Sequence, residues 1–357
     1  MHNFVFRSLP LNRDSRTVRY KELLQSNNVT FNTWEDSYQH NKSGLEKVKL
    51  GRLSVSKIVS YPLYLTYLFL YSLLKVRKGD RVICMDLDTF IPVFCASFYK
   101  GAVIYLDIVD PIGQTKFSRF PFPKLFDYLE YFSLRFRKFN ILPNDNRASY
   151  YQDRIAKDIS KVKYLLVENV PISFSDNLVE ESVDNLFDIG YFGTLDSARG
   201  LDELLEFAEK YKLRVLFAGM GKLESKIKEI SITSKYVSFH GAFSSNDLFS
   251  LYSQVKFTWA FYTSDIELHR YASPNKFYEH LAYNTPVITN KIVPMSTIVR
   301  DFNTGIILDD HFDSNSFERL YCELKSFNFN SADYSLWSCK YRNYSVDFNS
   351  YESYRLV

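Results

Sequence analysis

The sequence has few cysteines and no strong excess of charge of either sign. Its 4 cysteines form no Cys-x-x-Cys pair, which excludes a zinc ribbon and a dithiol redox motif and favours buried free thiols in a reducing compartment. A net charge of +3 over 357 residues is too small to indicate nucleic-acid binding. The first residues also lack the long apolar region of a signal peptide. We therefore expect a cytoplasmic protein with no nucleic-acid partner.

Long apolar runs are scarce as well. The stretch from Ile58 to Leu74 carries no charge, but it contains Pro62 and several Tyr, Ser and Thr residues. It is also shorter than the run of about 18 apolar residues that suggests a membrane span. We expect a buried or membrane-grazing helix here, with a spanning helix as the alternative.

The chain does contain alternating segments with strand and helix patterns. A content of 46% hydrophobic and 24% charged residues is typical of a globular protein, and the length allows two domains. Alternation of this kind predicts doubly wound parallel sheets, whose ligands bind beyond the carboxyl ends of the strands. Asp86 and Asp88 follow one predicted strand, and Asp107 and Asp110 follow the next. Such aspartates either face a ligand or stabilise turns.

Residues 273–289 read as a loop, a short helix, a turn and a buried strand. Ser273 is a suitable N-cap, and Asn284 can adopt the left-handed conformation that ends a helix. Lys276 and Glu279 fall in the first two turns of this predicted helix. A helix N-terminus with a nearby lysine is a favourable place to bind an anion.

This segment resembles the signature of retaining, nucleotide-sugar-dependent glycosyltransferases of the family 4 type, in which the helix reads Pro-x-Lys-x-x-Glu-x-x-Ala-x-Gly-x-Pro-Val-Ile. Asn284 replaces the glycine of that pattern. Glu279 matches the glutamate that holds the ribose hydroxyls of the donor, and Tyr271 occupies the position of a second glutamate. The resemblance implies an α/β protein of GT-B fold, with two Rossmann-like doubly wound domains facing across a cleft.

Two further segments carry the resemblance. The loop Gly193-Thr194-Leu195-Asp196-Ser197-Ala198-Arg199-Gly200 places Arg199 where the family supplies a cation to the donor diphosphate. The turn Gly219-Met220-Gly221 and the segment 237–241 follow in the family's order. The resemblance implies catalytic roles for Arg199, Lys276 and Glu279. It implies donor-binding roles for Gly193, Thr194, Gly219, Gly221, His240, Tyr271, Ser273 and Asn275. A surface arginine and a structural histidine are the alternatives for Arg199 and His240.

We predict an N-terminal acceptor-side domain over residues 1–170 and a nucleotide-sugar-binding domain over 171–335, joined by the polar linker 173–185. A terminal helical segment, 336–357, is expected to cross back to the first domain. The loop after the first strand contains no glycine, so close approach of a phosphate to its backbone is not supported, although Arg13 and Arg16 could substitute. The predicted acceptor-side residues are Asp14, Arg16, Asp86 and Asp88.

Residues 116–163 contain 11 Lys and Arg against 5 Asp and Glu, a local excess of 11 − 5 = +6. Several apolar residues within this segment are spaced to form one helical face: Phe122, Phe126, Leu129, Phe132 and Phe136. Such a segment either rests on an anionic membrane surface or is an ordinary helix packed on the sheet.

These features favour an enzyme that moves a sugar from a nucleotide diphosphate sugar to a glycan or lipid-linked acceptor in the assembly of surface polysaccharide, lipopolysaccharide or capsule. The resemblance implies retention, with no cofactor and no metal, so that protein cations carry the leaving-group charge. Two alternatives remain open. One is a sugar-nucleotide epimerase of the same fold, and the other is a noncatalytic nucleotide-binding partner subunit, suggested by Tyr271.

Overall fold

We describe the chain from a computed structural model. The described residues are 1–9, 11, 14–24, 28–34, 57–136, 139–171, 186–328, 341, 344–348 and 354–356. Four predicted features lie outside them in whole or in part: Arg13 of the first loop, the linker 173–185, the basic residues Arg137 and Lys138, and most of the tail 336–357.

The chain divides into two compact units. The first comprises residues 1–168 and 345–357, and the second comprises residues 169–344. The elements of the chain up to residue 168 are β1 (Asn3–Arg7), α1 (Ser15–Leu23), β2 (Val29–Thr33), α2 (Lys57–Lys75), β3 (Arg81–Met85), α3 (Leu87–Ser97), β4 (Val103–Asp107), α4 (Pro123–Phe136), β5 (Asn140–Leu142), α5 (Asn146–Ile155) and β6 (Lys163–Leu166). The elements after it are β7 (Phe187–Phe192), α6 (Leu201–Tyr211), β8 (Val215–Ala218), α7 (Glu224–Thr233), β9 (Val237–Gly241), α8 (Leu248–Tyr252), β10 (Val255–Ala260), α9 (Asn275–Ala282), β11 (Val287–Asn290), α10 (Ser296–Asp301), β12 (Gly305–Leu308), α11 (Phe317–Ser326) and β13 (Tyr354–Leu356).

The sheet of the first unit has seven strands among the described residues, in the order β13-β6-β5-β4-β3-β1-β2. Only β13 is antiparallel to its neighbour. The connections from β2 through β6 step in one direction, so right-handed crossovers place α2, α3, α4 and α5 on one face and α1 on the other. Val5, Ile83 and Tyr105 pack against Tyr20 of α1. The strand order reverses between β1 and β3, so their carboxyl ends form the ligand-binding edge expected of such sheets.

The sheet of the second unit has six described strands, all parallel, in the order β12-β11-β10-β7-β8-β9. Its core includes Trp259, Phe217 and Leu204, all completely buried. Here the strand order reverses between β7 and β10, and the loops that follow these two strands meet at that point. The prediction of an α/β protein with two Rossmann-like doubly wound units is confirmed.

Several local predictions can be compared with the elements. The helix predicted near Ile58 to Leu74 is α2, and no helix among the described residues is long and apolar enough to cross a membrane. The prediction of a helical tail is wrong for Tyr354–Leu356, because these residues pair with β6 as β13. The units divide after Glu168 and after Tyr344, where sequence analysis places boundaries after residues 170 and 335.

The helix α9 differs from its prediction at one end only. It begins at Asn275 with Pro274 as N-cap, so the N-cap role predicted for Ser273 is wrong. Pro274 has the extended backbone (ψ 135°) that an N-cap needs, and the Ser273 hydroxyl lies 3.4 Å from the Tyr278 hydroxyl instead. At the other end Asn284 has φ +53°, which confirms the predicted left-handed turn.

Candidate functional site

Two loops that follow β7 and β8 lie backbone against backbone in the second unit. The N–H of Gly193 donates to Ala218 O at 2.9 Å, and the N–H of Leu195 donates to Met220 O at 2.9 Å. A Cβ added at Gly219 would lie 1.8 Å from the carbonyl oxygen of Gly193. Only glycine at position 219 therefore permits this close approach. Main-chain groups of the two loops consequently line this part of the site.

Arg199 follows the first of these loops, at the end of a short 3₁₀ turn (Ser197–Arg199). Its carbonyl accepts a hydrogen bond from Trp259 Nε1 at 2.9 Å, which fixes the backbone to the core. The guanidinium carbon lies 4.4 Å from the centre of the Tyr262 ring, and Nη1 lies 3.1 Å from His269 Nε2. The arginine is thus held by uncharged groups on the loop after β10.

Lys276, in the first turn of α9, approaches the same place from the other side of the switch point. Its Nζ lies 4.5 Å from the centre of the Tyr191 ring, and a Cβ on Gly193 would come within 2.6 Å of it. Burial lowers the pKa of Lys276 to about 8, with a further lowering from Arg199 and an opposing effect from Glu279. Lys276 thus lies beside the first glycine of the loop 193–200, and Arg199 lies near the end of that loop.

Neither cation has an acidic side chain within 4.0 Å in the part of the chain that the structure describes. Glu279, one turn after Lys276 in α9, is half-buried and accepts a hydrogen bond from the Tyr252 hydroxyl at 3.1 Å. The arrangement therefore combines a carboxylate that accepts hydroxyl donors with two cations that have no ion-pair partner within 4.0 Å among the described residues. A molecule with adjacent hydroxyl and anionic groups fits these requirements.

The other residues predicted to bind the donor differ in how far they are exposed to solvent. Thr194 is exposed, and its carbonyl accepts from the Tyr191 hydroxyl. His240 is exposed in β9, next to Gly241, whose carbonyl accepts the N–H of Gly219 at 2.7 Å. Tyr271 is buried at the end of a 3₁₀ turn.

The remaining members of this group lie close to Lys276 in the chain or in the turn after β8. Ser273 is half-buried, and its carbonyl accepts from the amide of Asn169 at 2.7 Å. Asn275 is half-buried at the start of α9, and Gly221 supports the loop that contains Leu195, since a Cβ there would lie 2.3 Å from Leu195 O.

Three of the predicted acceptor-side residues meet at the switch point of the first unit. Arg7 binds both Asp14 and Asp86, and Lys116 Nζ lies 3.3 Å from Asp86 and 2.8 Å from Asp88. Asp86 has φ +67° and makes no side-chain cap bond to α3, so a capping role does not account for it. Burial alone would raise the pKa of Asp86, but Arg7 and Lys116 outweigh it and the pKa is lowered.

The fourth predicted acceptor-side residue, Arg16, is buried in a separate pair. Its guanidinium donates to both oxygens of Asp107 at 2.7 and 2.8 Å and to the carbonyl of Val167 at 2.7 Å. Tyr20 also donates to Asp107 at 2.6 Å. With all these bonds made inside the unit, Arg16 joins α1 to the carboxyl ends of β4 and β6.

Sequence reasoning missed the partners that hold these charges. Tyr191, Tyr252 and Tyr262 hold or contact Lys276, Glu279 and Arg199 in the second unit. In the first unit the missed residues are Arg7, Lys116 and Tyr61, which binds Asp88. A usable signal was the position of Arg7, Tyr191 and Tyr262 at or just beyond the carboxyl ends of their strands.

Comparison with known proteins agrees with this geometry. Residues 187–324 match the family model described as glycosyl transferases group 1, which confirms the predicted resemblance to glycosyltransferases for this part of the second unit. The chain has no match among the curated proteins.

Solved structures extend the likeness over the whole chain. WaaG, a glycosyltransferase involved in lipopolysaccharide biosynthesis, is 13% identical with a TM-score of 0.61, over 97% of this chain and 95% of that one. HepE from Anabaena, in complex with UDP and glucose, is 11% identical with a TM-score of 0.62, over 96% and 95% of the two chains. Sucrose-phosphate synthase from Thermosynechococcus elongatus is 11% identical with a TM-score of 0.65, over 96% and 95%. At these identities the likeness establishes the GT-B fold.

Proposed function

We propose that this chain, which has the GT-B fold and matches the glycosyl transferases group 1 over residues 187–324, transfers a sugar from a nucleotide diphosphate sugar to a glycan or lipid-linked acceptor. The observation that carries the proposal is that Arg199 and Lys276 both lie along the loop 193–200, and that neither has an acidic side chain within 4.0 Å among the described residues. A diphosphate supplies the missing negative charge. Arg199 can grip two of its oxygens at once, whereas Lys276 acts as a point charge.

In this proposal Glu279 accepts the ribose hydroxyls of the donor, in addition to the hydroxyl of Tyr252. The two cations stabilise the charge that grows on the bridging oxygen as the glycosidic bond breaks. The reaction then needs neither a metal nor a cofactor, and the departing diphosphate helps to deprotonate the acceptor on the same face, which gives retention. HepE and a trehalose-6-phosphate enzyme carry UDP or a UDP sugar, so UDP is the first ligand to test.

The first unit would supply the acceptor side. Asp14, Asp86 and Asp88 lie together at the carboxyl ends of β1 and β3, where carboxylates can accept sugar hydroxyls. We place the transfer at the cytoplasmic face of a membrane, in the assembly of surface polysaccharide, lipopolysaccharide or capsule. The likeness to WaaG, which is involved in lipopolysaccharide biosynthesis, supports a role in this kind of assembly.

Helix α4 is the proposed contact with an anionic membrane surface. Its inward face carries Asp127 and Glu130, both completely buried and bound to the hydroxyls of Tyr150 and Tyr151 of α5 at 2.9 and 3.1 Å. These bonds fix the rotation of α4 and leave an apolar face outward, with exposures of 51% at Leu125, 40% at Leu129 and 46% at Phe132. Exposed Arg119 and Lys124 flank that face and complement anionic headgroups.

The transfer proposal is tested with Arg199→Ala and Arg199→Lys. Thermal unfolding with UDP, GDP, ADP and CMP first identifies the nucleotide, since a ligand at 100 times its dissociation constant adds about 2.7 kcal/mol of stability. Steady-state turnover of the matching sugar donor with a glycan acceptor is then measured in the presence of EDTA. Arg199→Ala should lower turnover by about 10²- to 10³-fold, more than it lowers affinity, and Arg199→Lys should recover part of the loss.

The matched control is Arg300→Ala, because Arg300 is an exposed arginine of the same unit that pairs with Asp301 in α10. It should behave like the parent. Parental turnover in Arg199→Ala would show that the diphosphate is held elsewhere. Conversion of the sugar nucleotide into its epimer without any acceptor, and with no net release of nucleotide, would favour the epimerase alternative over transfer.

A further inference from the structure

His269 connects the two loops that meet at the switch point of the second unit. It is 6% exposed and lies in the 3₁₀ turn Glu267–Tyr271, on the loop after β10. Its Nδ1 lies 2.7 Å from the carbonyl oxygen of Thr263. A carbonyl oxygen only accepts hydrogen bonds, so Nδ1 carries the proton and Nε2 has a free lone pair.

That lone pair faces Arg199. Nη1 of Arg199 lies 3.1 Å from His269 Nε2, and a guanidinium can only donate, so the imidazole accepts this bond. The N–H of Thr263 in turn donates to Ala198 O at 3.1 Å, so the loop that bears His269 is also tied to the backbone next to Arg199. The imidazole therefore fixes the guanidinium from one edge, while the Tyr262 ring fixes it from one face at 4.4 Å.

The choice of a neutral acceptor has an electrostatic consequence. An aspartate or glutamate would hold a guanidinium more strongly, but its charge would cancel that of Arg199 and weaken its attraction for an anion. A neutral imidazole holds the side chain and leaves its full charge available. Burial lowers the pKa of His269 to about 4; the bond to Thr263 opposes this shift and Arg199 adds to it, so the ring is uncharged at neutral pH.

We propose that His269 is a positioning residue: as a neutral acceptor it orients the guanidinium of Arg199 toward the diphosphate without neutralising its charge. The proposal rests on the proposed function, because it takes Arg199 as the cation that meets the diphosphate. His269 touches neither the donor nor the acceptor in this scheme and acts only through Arg199.

Four substitutions of His269 test separately its bond to Thr263, its bond to Arg199 and its lack of charge. His269→Asn can keep the donor to Thr263 but is too short to reach Arg199, and His269→Gln can reach Arg199. His269→Glu has the shape of the Gln variant with a negative charge, and His269→Leu has neither bond. The probes are inorganic pyrophosphate and whichever of UDP, GDP and ADP stabilises the parent most, with dissociation constants measured by calorimetry and folding verified by thermal unfolding.

We expect His269→Gln to stay within about threefold of the parent in affinity for both probes, and His269→Asn and His269→Leu to lose about tenfold, the value of one hydrogen bond to a charged group. His269→Glu should bind more weakly than His269→Gln, since only its charge differs. In a double-mutant cycle, His269→Asn should have no further effect once Arg199 is alanine, because it acts through that residue.

Three results would overturn the inference: parental affinity in folded His269→Asn and His269→Leu, equal affinities of the Gln and Glu variants, or additive effects in the cycle. These results are distinct from failure of the proposed function. If Arg199→Ala itself binds both probes like the parent, the diphosphate does not meet Arg199. If Arg199→Ala is impaired while the His269 variants are not, only the positioning role is wrong.

Discussion

The pKa of Lys276 predicts an unusual pH dependence of donor binding. An ordinary lysine, with a pKa near 10.4, stays almost fully charged up to pH 9. Burial and Arg199 lower the pKa of Lys276 to about 8, so its charged fraction falls from about 90% at pH 7 to about 10% at pH 9. If only the charged form attracts the diphosphate, the dissociation constant of the nucleoside diphosphate should rise about tenfold over this range, which corresponds to about 1.4 kcal/mol.

As pH rises, the effect of Lys276 on the stability of the unliganded protein is opposite to its effect on nucleotide binding. The folded-state pKa lies below the unfolded one, so between about pH 8 and pH 10.5 the unfolded chain binds the extra proton. The contribution of Lys276 to the stability of the unliganded protein therefore increases as pH rises through that window. A general loss of structure at pH 9 would weaken binding and stability together, so the two measurements distinguish the causes.

The assay is calorimetry with the nucleoside diphosphate at pH 7 and pH 9, at equal ionic strength, in two buffers of different ionisation enthalpy. Binding at pH 9 should take up close to one proton, because the diphosphate restores the charge on Lys276. Lys276→Met should bind weakly at both pH values without the pH dependence, and Lys256→Met, at an exposed lysine paired with Asp188, should behave like the parent. If the parent has the same dissociation constant at both pH values, the charge of Lys276 does not contribute to nucleotide binding as proposed.

Two further predictions concern Glu279 and helix α4. Glu279→Ala should raise the dissociation constant of the nucleotide by about ten- to a hundredfold, because about 1.5 to 3 kcal/mol is lost with each hydrogen bond to a charged group. Calorimetry with the 2′-deoxy nucleotide should show a much smaller loss, and an equal loss with both nucleotides would remove Glu279 from the ribose. The double variant Leu129→Ser and Phe132→Ser should lower partition into vesicles of anionic phospholipid by at least about tenfold. Burying the exposed apolar surface of each side chain in the membrane contributes about 1 kcal/mol, and serine removes that contribution. Sedimentation with vesicles measures this, Ile232→Ser at a 78% exposed position is the control, and unchanged sedimentation of the double variant would contradict the membrane contact.

Much of the second unit could be predicted because its signals are local in sequence. Each end of α9 is set by residues within about one turn of that end. Asn284, just beyond the C-terminal end, adopts the predicted left-handed conformation. Even here the N-cap was displaced by one residue, from Ser273 to Pro274, because the extended backbone of the proline already fulfils that role. The glycines of the turns were recognised as part of a pattern, but their reason is a contact between two loops, Gly193 O against Gly219.

The rest depended on groups that lie far apart in the chain. Arg7 and Asp86 are separated by 79 residues, and Arg199 and His269 by 70, so neither pair has a signature in sequence spacing. The rotation of α4 is a second example. Its pattern is compatible with an apolar face turned inward or outward, and the hydroxyls of Tyr150 and Tyr151 on another helix decide the outcome.

The alternation of strands and helices, the glycine turns and the chemical groups at the ends of the strands could all be read from the sequence, since they follow from local sterics and hydrophobic periodicity. The ion pairs, by contrast, depend on the folded chain. Asp86 and Asp88 pair with Arg7 and Lys116, whereas Arg199 and Lys276 have no acidic side chain within 4.0 Å among the described residues. Coulomb energy depends on distance through space and on burial, and both are set by the order of the strands in the sheets and the packing around them.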